Sequence, residues 1–336
     1  MPQMLIYGDL GYQEDKSLPY LRDDILQTHY HSIFHIGDFA YDLQNEKGKV
    51  GHDFMNSIEP VAATVPYMTA PGNHEHHANF SHYDARFTML GDRDNPEVLK
   101  PLTDRIKNHF YSIDMGPAHI IVFSSEYYFY VLDFGTYHME RQFKWLEEDL
   151  KKANMNREKR PWIIVMAHRP MYCFKRDDHS CNLETMERDD LRQGVLRHDG
   201  TRTWGLEELF HKYGVDLQFY GHEHYYTRTL PLYNRSLMDY SVHDGKRNGT
   251  SIVDAKGPIH IVTGSAGNKE HHPEFNPRMD KVDWVGFHQP DYGYTRLLFK
   301  DKLKVVVEQT SDDQHGKVTD EVEISKTQHS PAWLQG

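Results

Sequence analysis

Five short apolar runs in this chain each end on a turn that delivers a side chain able to ligate a metal. The blocks are Gly8-Asp9-Leu10-Gly11, Gly37-Asp38-Phe39-Ala40-Tyr41, Gly72-Asn73-His74-Glu75, Val165-Met166-Ala167-His168 and Gly221-His222-Glu223-His224. One Gly-Asp pair is an ordinary turn far more often than a ligand, because glycine and aspartate are common turn formers. A lone histidine after a buried strand is usually a hydrogen-bonded rim residue. Five such endings in order are a stronger constraint, since they require a fold that gathers many strand ends at one edge.

The intervening pattern supplies that fold. Helical stretches over 18–30 and 53–64 separate the first three apolar runs, a βαβαβ order that implies a parallel sheet with right-handed crossovers. In open α/β sheets, function collects at the carboxyl ends of strands. Further on, 109–114 and 119–125 read as a hairpin turning at Asp114-Met115-Gly116-Pro117, and 142–153 as a charged amphipathic helix. Strands are expected over 162–168 and 216–222, with helices over 184–195 and 206–213. From Pro258 the pattern is all β, with strands over 259–263, 293–300 and 302–308. Neither a repeat nor a linker rich in Pro, Gly or Ser divides the chain. We therefore expect one α/β unit over 1–326, completed by a β-rich segment over 258–326, and a loose polar tail over 327–336.

Composition narrows the chemistry. With 50 acidic against 38 basic residues the formal charge is −12, which argues against a general nucleic-acid binder. No apolar run approaches the roughly 18 residues of a membrane helix. The chain holds 24 histidines but only 2 cysteines, too few for a Cys-based zinc site. Oxygen and nitrogen ligands from Asp, Asn, His and Tyr suit iron, zinc or manganese. A shared carboxylate can bridge two cations about 3.5–4 Å apart, the arrangement that clamps phosphoryl groups.

In this order the five blocks resemble the metallophosphoesterase signature, and Tyr41 narrows the resemblance to the purple acid phosphatases. Gln142 to Leu150, His168 to Tyr172 and Ile259 to Gly267 are also similar to the animal members. The resemblance implies a four-layer α/β/β/α sandwich acting as an acid phosphatase on phosphate monoesters, with a metal-bound hydroxide as nucleophile. Asp9, Asp38, Tyr41 and His224 would hold Fe(III). Asp38 would bridge, and Asn73, His168 and His222 would hold a divalent Zn, Fe or Mn. His74 would stabilise phosphate oxygens, or else only buttress the Asn73 turn. Many relatives carry a His pair about ten residues past the equivalent of His168. This chain has Asp177-Asp178-His179-Ser180-Cys181 there, so His179 is either the leaving-group acid or an ordinary loop histidine. Tyr225-Tyr226-Thr227-Arg228 also departs from the family, which commonly has an acidic residue before the arginine. The rival readings are a phosphodiesterase or nucleotide pyrophosphatase of the same superfamily, and a metal-binding protein with weak catalysis.

Asn-x-Ser/Thr sequons stand at Asn79, Asn234 and Asn248. Cys173 and Cys181 close the loop after His168 in an oxidising compartment, or stay free thiols in the cytosol. With the family's secreted or lysosomal habit, these features favour an exported glycoprotein. The front of the chain reads as having no leader before Leu5 and as lacking the fibronectin-like domain that the resemblance places ahead of the catalytic part in longer animal relatives. The expectation is a truncated chain, or a cytosolic protein if Met1 is the true start. Its partner is a phosphate ester, with no nucleic acid or membrane, and the oligomeric state is open.

Overall fold

The computed structural model describes residues 1–89, 108–173, 189–242, 250–268, 270 and 282–334. Two seven-stranded sheets form its centre. The first runs in the order Ser251–Val253, Lys317–Ser325, Lys304–Ser311, Thr295–Phe299, Gln3–Tyr7, Ser32–Ile36, Tyr67–Ala70. The second runs Val285–Gln289, Tyr226–Thr229, Ile259–Thr263, Leu217–Tyr220, Trp162–Ala167, Ala118–Val122, Tyr111–Met115.

The strands that lead to the motifs pair in parallel, and Ser251–Val253 adds a parallel edge on Lys317–Ser325. Gln3–Tyr7, Ser32–Ile36 and Tyr67–Ala70 are mutually parallel, as are Ala118–Val122, Trp162–Ala167, Leu217–Tyr220 and Ile259–Thr263. The C-terminal meander adds antiparallel strands to the first sheet.

Period-two alternation sorts the side chains into layers. Met4, Ile6, Phe34 and Ile36 face the other sheet and cluster with Ile164, Met166, Phe219 and Ile261. Leu5, Tyr7 and Ile33 point the opposite way and join a cluster with Leu18, Leu21, Phe54 and Ile58 of the helices Leu18–Gln27 and Lys49–Ala62. On the far side, Gln142 of Tyr137–Asn154 exchanges hydrogen bonds with the Ser124 backbone, and Phe210 of Leu206–Lys212 meets Phe123 at 5.5 Å. The molecule is thus helix, sheet, sheet, helix.

Some elements differ from the sequence reading. Within 184–195, the described part is one helical turn, Asp190–Gln193, followed by a strand, Gly194–Leu196, paired with Arg202–Trp204. Tyr226–Thr229 is a central strand although it reads Tyr-Thr-Arg-Thr. It is buried because Arg228 reaches across the inter-sheet space to Asp320, with bonds of 2.6 and 2.8 Å. In the segment expected to be loose, the Trp333 indole N–H donates to the His211 carbonyl at 2.9 Å.

Candidate metal centre

Four of the seven candidate ligands leave their strands through a backbone turn that only a tightly determined site tolerates. Asp9, Asp38, Tyr41 and His222 all have left-handed backbone, with φ of 61°, 54°, 50° and 69°. Such residues cost about 1–3 kcal/mol each and cluster at functional sites. Space is equally restrictive. A Cβ on Gly72 would lie 2.3 Å from Asp38 Oδ1, and one on Gly37 2.4 Å from His168 Nδ1, with φ at Gly37 of +95°. The glycines before the ligands therefore let the two sheets bring their ends together.

The seven candidate ligands converge in two adjoining groups. In the first, the Tyr41 hydroxyl is 2.8 Å from His224 Nε2, and Asp9 Oδ1 is 3.4 Å from the same nitrogen. In the second, ligand atoms of Asp38, His168 and His222 lie within 4.8 Å of one another. His168 Nε2 stands 3.3 Å from Asp38 Oδ2 and 3.0 Å from Asn73 Oδ1. Asp9 Oδ2 joins the groups by accepting the His222 backbone N–H at 2.7 Å. His179 lies outside the described residues.

Electrostatics show what this pocket favours. Burial raises the Asp9 carboxyl despite its His224 contact. Asp38 stays well below the usual carboxylate range against the same burial, because His168 stands beside it. Burial opposes the charge on His168, but Asp38 outweighs it and holds the imidazole up to about 10. His222 is pushed down by burial and then by Arg169, and Tyr41 is pushed up by burial and then by Asp9. Two buried carboxylates thus draw positive charge from whatever is near, the condition a bound cation relieves. The donors fit: all are oxygen or nitrogen, and His168 Nδ1 donates to the Ile36 carbonyl at 2.9 Å, leaving Nε2 aimed inward.

His74 stands at the rim. Its backbone N–H donates to Asp38 Oδ1 at 3.0 Å, its Nδ1 is 3.1 Å from Asp42 Oδ1, and its Nε2 is 3.9 Å from Asp38 Oδ2. Burial lowers its pKa, but Asp38 and then Asp42 carry it above the ordinary value.

Two contributors escaped the sequence reading. Glu75 is buried and accepts three backbone N–H groups, from Asp38 and Gly72 at 2.8 Å each and Phe39 at 3.1 Å. It fastens the turn of one motif to the turn of another. Arg169 pairs with buried Glu126 through Nε at 3.0 Å and places Nη1 3.0 Å from His222 Nε2. Glu75 had a signal, its place in the Gly-Asn-His-Glu block. The Arg169–Glu126 pair had none.

Residues 3–226 match the family described as calcineurin-like phosphoesterase, and residues 257–321 the family described as iron/zinc purple acid phosphatase-like protein C. Acid phosphatase type 7 of Homo sapiens is 46% identical over 96% of this chain and 67% of its own length. A probable inactive purple acid phosphatase 1 of Arabidopsis thaliana is 30% identical over 96% of this chain and 50% of its own. The solved structure of a purple acid phosphatase from yellow lupin seeds superposes with a TM-score of 0.72 at 26% identity, covering 97% of this chain and 54% of that one.

Proposed function

This chain belongs to the purple acid phosphatases of the calcineurin-like phosphoesterase family, and on that premise we propose how its residues divide the hydrolysis of a phosphate monoester. Asp9, Tyr41 and His224 would hold a ferric ion, Asn73, His168 and His222 would hold a divalent zinc, iron or manganese, and Asp38 would serve both. Such a pair of cations supplies Lewis acidity, neutralising the phosphate and lowering the pKa of water. The observation that carries the reading is the convergence of Asp38, His168 and His222 ligand atoms within 4.8 Å, from both sheets, beside the Asp9–Tyr41–His224 group.

The remaining work falls to the protein. Asp42 fixes His74 through Nδ1, which aims Nε2 at the pocket, 3.9 Å from Asp38 Oδ2 and 3.8 Å from Glu270 Oε1, where its proton can meet a phosphate oxygen and the charge that develops on it. Arg169, locked by Glu126, holds a second positive charge beside His222. His179 is assigned protonation of the leaving alcohol, a role worth about 10²–10⁴-fold on poor leaving groups. The two family matches support reading 1–326 as one catalytic unit. Cys173 is disulfide-bonded, which supports a secreted or lysosomal setting.

The test compares 4-nitrophenyl phosphate with bis(4-nitrophenyl) phosphate on protein loaded with iron and zinc. Preference for the monoester is expected. Preference for the diester points to a phosphodiesterase, and stoichiometric metal with negligible turnover of either points to a metal-binding protein.

A further inference from the structure

The sequon Asn234-Arg235-Ser236 is used by none of the roles above. It forms the turn of a hairpin that joins Leu232–Tyr233 to Ser236–Leu237, with Tyr233 paired to Ser236. Asn234 and Arg235 have φ of 47° and 60°, the left-handed backbone that a two-residue hairpin turn demands and that asparagine tolerates better than most residues. The turn accounts for an asparagine at 234. It does not account for the exposed serine two positions on, which completes an acceptor for N-linked sugar. Asn234 is itself exposed, and its side-chain amide has no hydrogen-bond partner among the described residues. The base of the turn is fastened. The Asn234 backbone N–H donates to Glu207 Oε1 at 2.9 Å, that of Arg235 to the Tyr172 hydroxyl at 3.1 Å, and Arg235 Nη2 to Asp189 Oδ2 at 3.0 Å.

A groove of about 480 Å³ opens beside this turn, and Asn234 forms part of its wall. Phe143, Trp204 and Tyr233 line it together with Gln193 and Arg202, and none of the candidate metal ligands does. The three aromatic residues come from the helix Tyr137–Asn154, the strand Arg202–Trp204 and the hairpin itself. Trp204 is half-buried and has φ of 67°, an outlier for so bulky a side chain. Its carbonyl accepts the Tyr128 hydroxyl at 2.7 Å, which fixes the strained backbone that carries the indole. Arg202 spends Nη1 on Asp190 Oδ1 and the Gly194 carbonyl, at 3.1 and 2.6 Å, and its Nη2 has no hydrogen-bond partner among the described residues. The groove thus combines flat apolar faces with an unspent donor.

We propose that Asn234 carries an N-linked glycan whose first N-acetylglucosamine lies in this groove. The reading goes beyond the phosphatase chemistry and rests on the exported setting, which the disulfide-bonded Cys173 supports. The sugar donor is an oligosaccharide joined through pyrophosphate to a lipid. Asn234 Nδ2 forms a bond to C1 of the sugar and the C1–O bond to pyrophosphate breaks. The lipid pyrophosphate leaves with the electron pair, and the amide proton passes to a base. A pyranose ring has an apolar C–H face for aromatic rings to cover, while its hydroxyls and acetamide carbonyl accept from Arg202 and Gln193. A tethered sugar needs no separate encounter, so a fastened turn beside a preformed groove seats it at little entropic cost. The tether also favours this occupant over a free sugar, since the acceptor residue stands in the groove wall.

In the experiment, the full chain is exported from cultured animal cells behind a cleavable leader, and its glycans are trimmed to the first sugar with an endo-β-N-acetylglucosaminidase. Peptide mass spectrometry should find N-acetylglucosamine on Asn234. The trimmed protein should melt about 2 °C or more above Ser236→Ala, which keeps the turn asparagine but loses the acceptor sequon. That gap should close when both proteins also carry Trp204→Ala. Tyr233→Ser repeats the comparison from the other wall if the Trp204 variant does not fold. Unmodified Asn234 in exported, disulfide-bonded protein overturns the proposal and leaves the exported setting standing. A sugar on Asn234 with equal melting temperatures, or with a gap that the groove variants leave intact, overturns the groove as its seat. A chain retained in the cell without glycan, with Cys173 a free thiol, removes the setting and the proposal together.

Discussion

Replacing Glu75 by Gln should weaken metal binding without removing any ligand. The ionised side chain offers Oε2 to the N–H groups of Asp38 and Gly72 and Oε1 to that of Phe39. Glutamine keeps one oxygen and turns an NH₂ toward the third donor, so at least one buried N–H loses its acceptor, at about 1–3 kcal/mol. The loss falls on the turn that sets Asp38, and changes in residues that orient ligands typically cost about 10–100-fold in metal affinity. The assay is zinc titration of chelator-treated protein followed by calorimetry, alongside thermal unfolding. In the metal-free state burial, and then the Asp38 charge, push Glu75 up to about 7. A carboxyl raised in this way binds its proton more readily folded than unfolded. Its contribution therefore falls as pH rises through the window from about 4.5 to about 7. The Gln variant has no such slope, so its deficit against wild type should be largest near pH 5 and smaller at pH 8. Zinc affinity within twofold of wild type, with a pH-independent stability deficit, would refute the reasoning.

Further consequences concern the rim and the frame. His74→Ala should lower kcat about 100-fold with little change in bound metal, and Asp42→Asn should lower it less, as stopped assays on metal-quantified protein would show. Asp320→Ala leaves the Arg228 guanidinium buried and unpaired, so urea unfolding should show a loss of about 3–5 kcal/mol, whereas an apolar double replacement at both positions should recover much of it. His119 bridges Asp114 at 2.7 Å and Asp149 at 2.8 Å. Burial opposes its charge, but the Asp149 and Asp114 bonds carry its pKa upward. Its stabilising effect is full below the unfolded value near 6.5 and fades as pH rises through the folded value. His119→Gln should therefore cost more stability at pH 5.5 than at pH 9, and a deficit equal at both would contradict the bridge.

The residues that converge at the candidate metal centre were legible because their signal is local. A buried run such as Trp162–Ala167 followed directly by His168 declares both strand and candidate ligand, and the helical spacing between the first three runs declares the crossover. What stayed hidden depends on residues distant in the chain. Arg169 finds Glu126 across 43 positions and Arg228 finds Asp320 across 92, so no window of sequence reveals either pair. Tyr226–Thr229 alternates no apolar residues, since its burial relies on that ion pair. The excess of histidine also proved mostly unrelated to the metal centre. His35 and His260 are buried with imidazoles pushed down to about 3 by burial, and His119 serves the frame. A histidine count cannot separate these uses, whereas position after a strand can.

The central claim is a ferric ion ligated by Tyr41 beside a divalent partner. A visible absorption spectrum of the purified protein, with metal content measured on the same sample, tests it most directly. A tyrosinate-to-iron band with one iron and one further metal per chain, lost in Tyr41→Phe, is the expected result. A colourless protein with zinc or manganese filling both positions would contradict it.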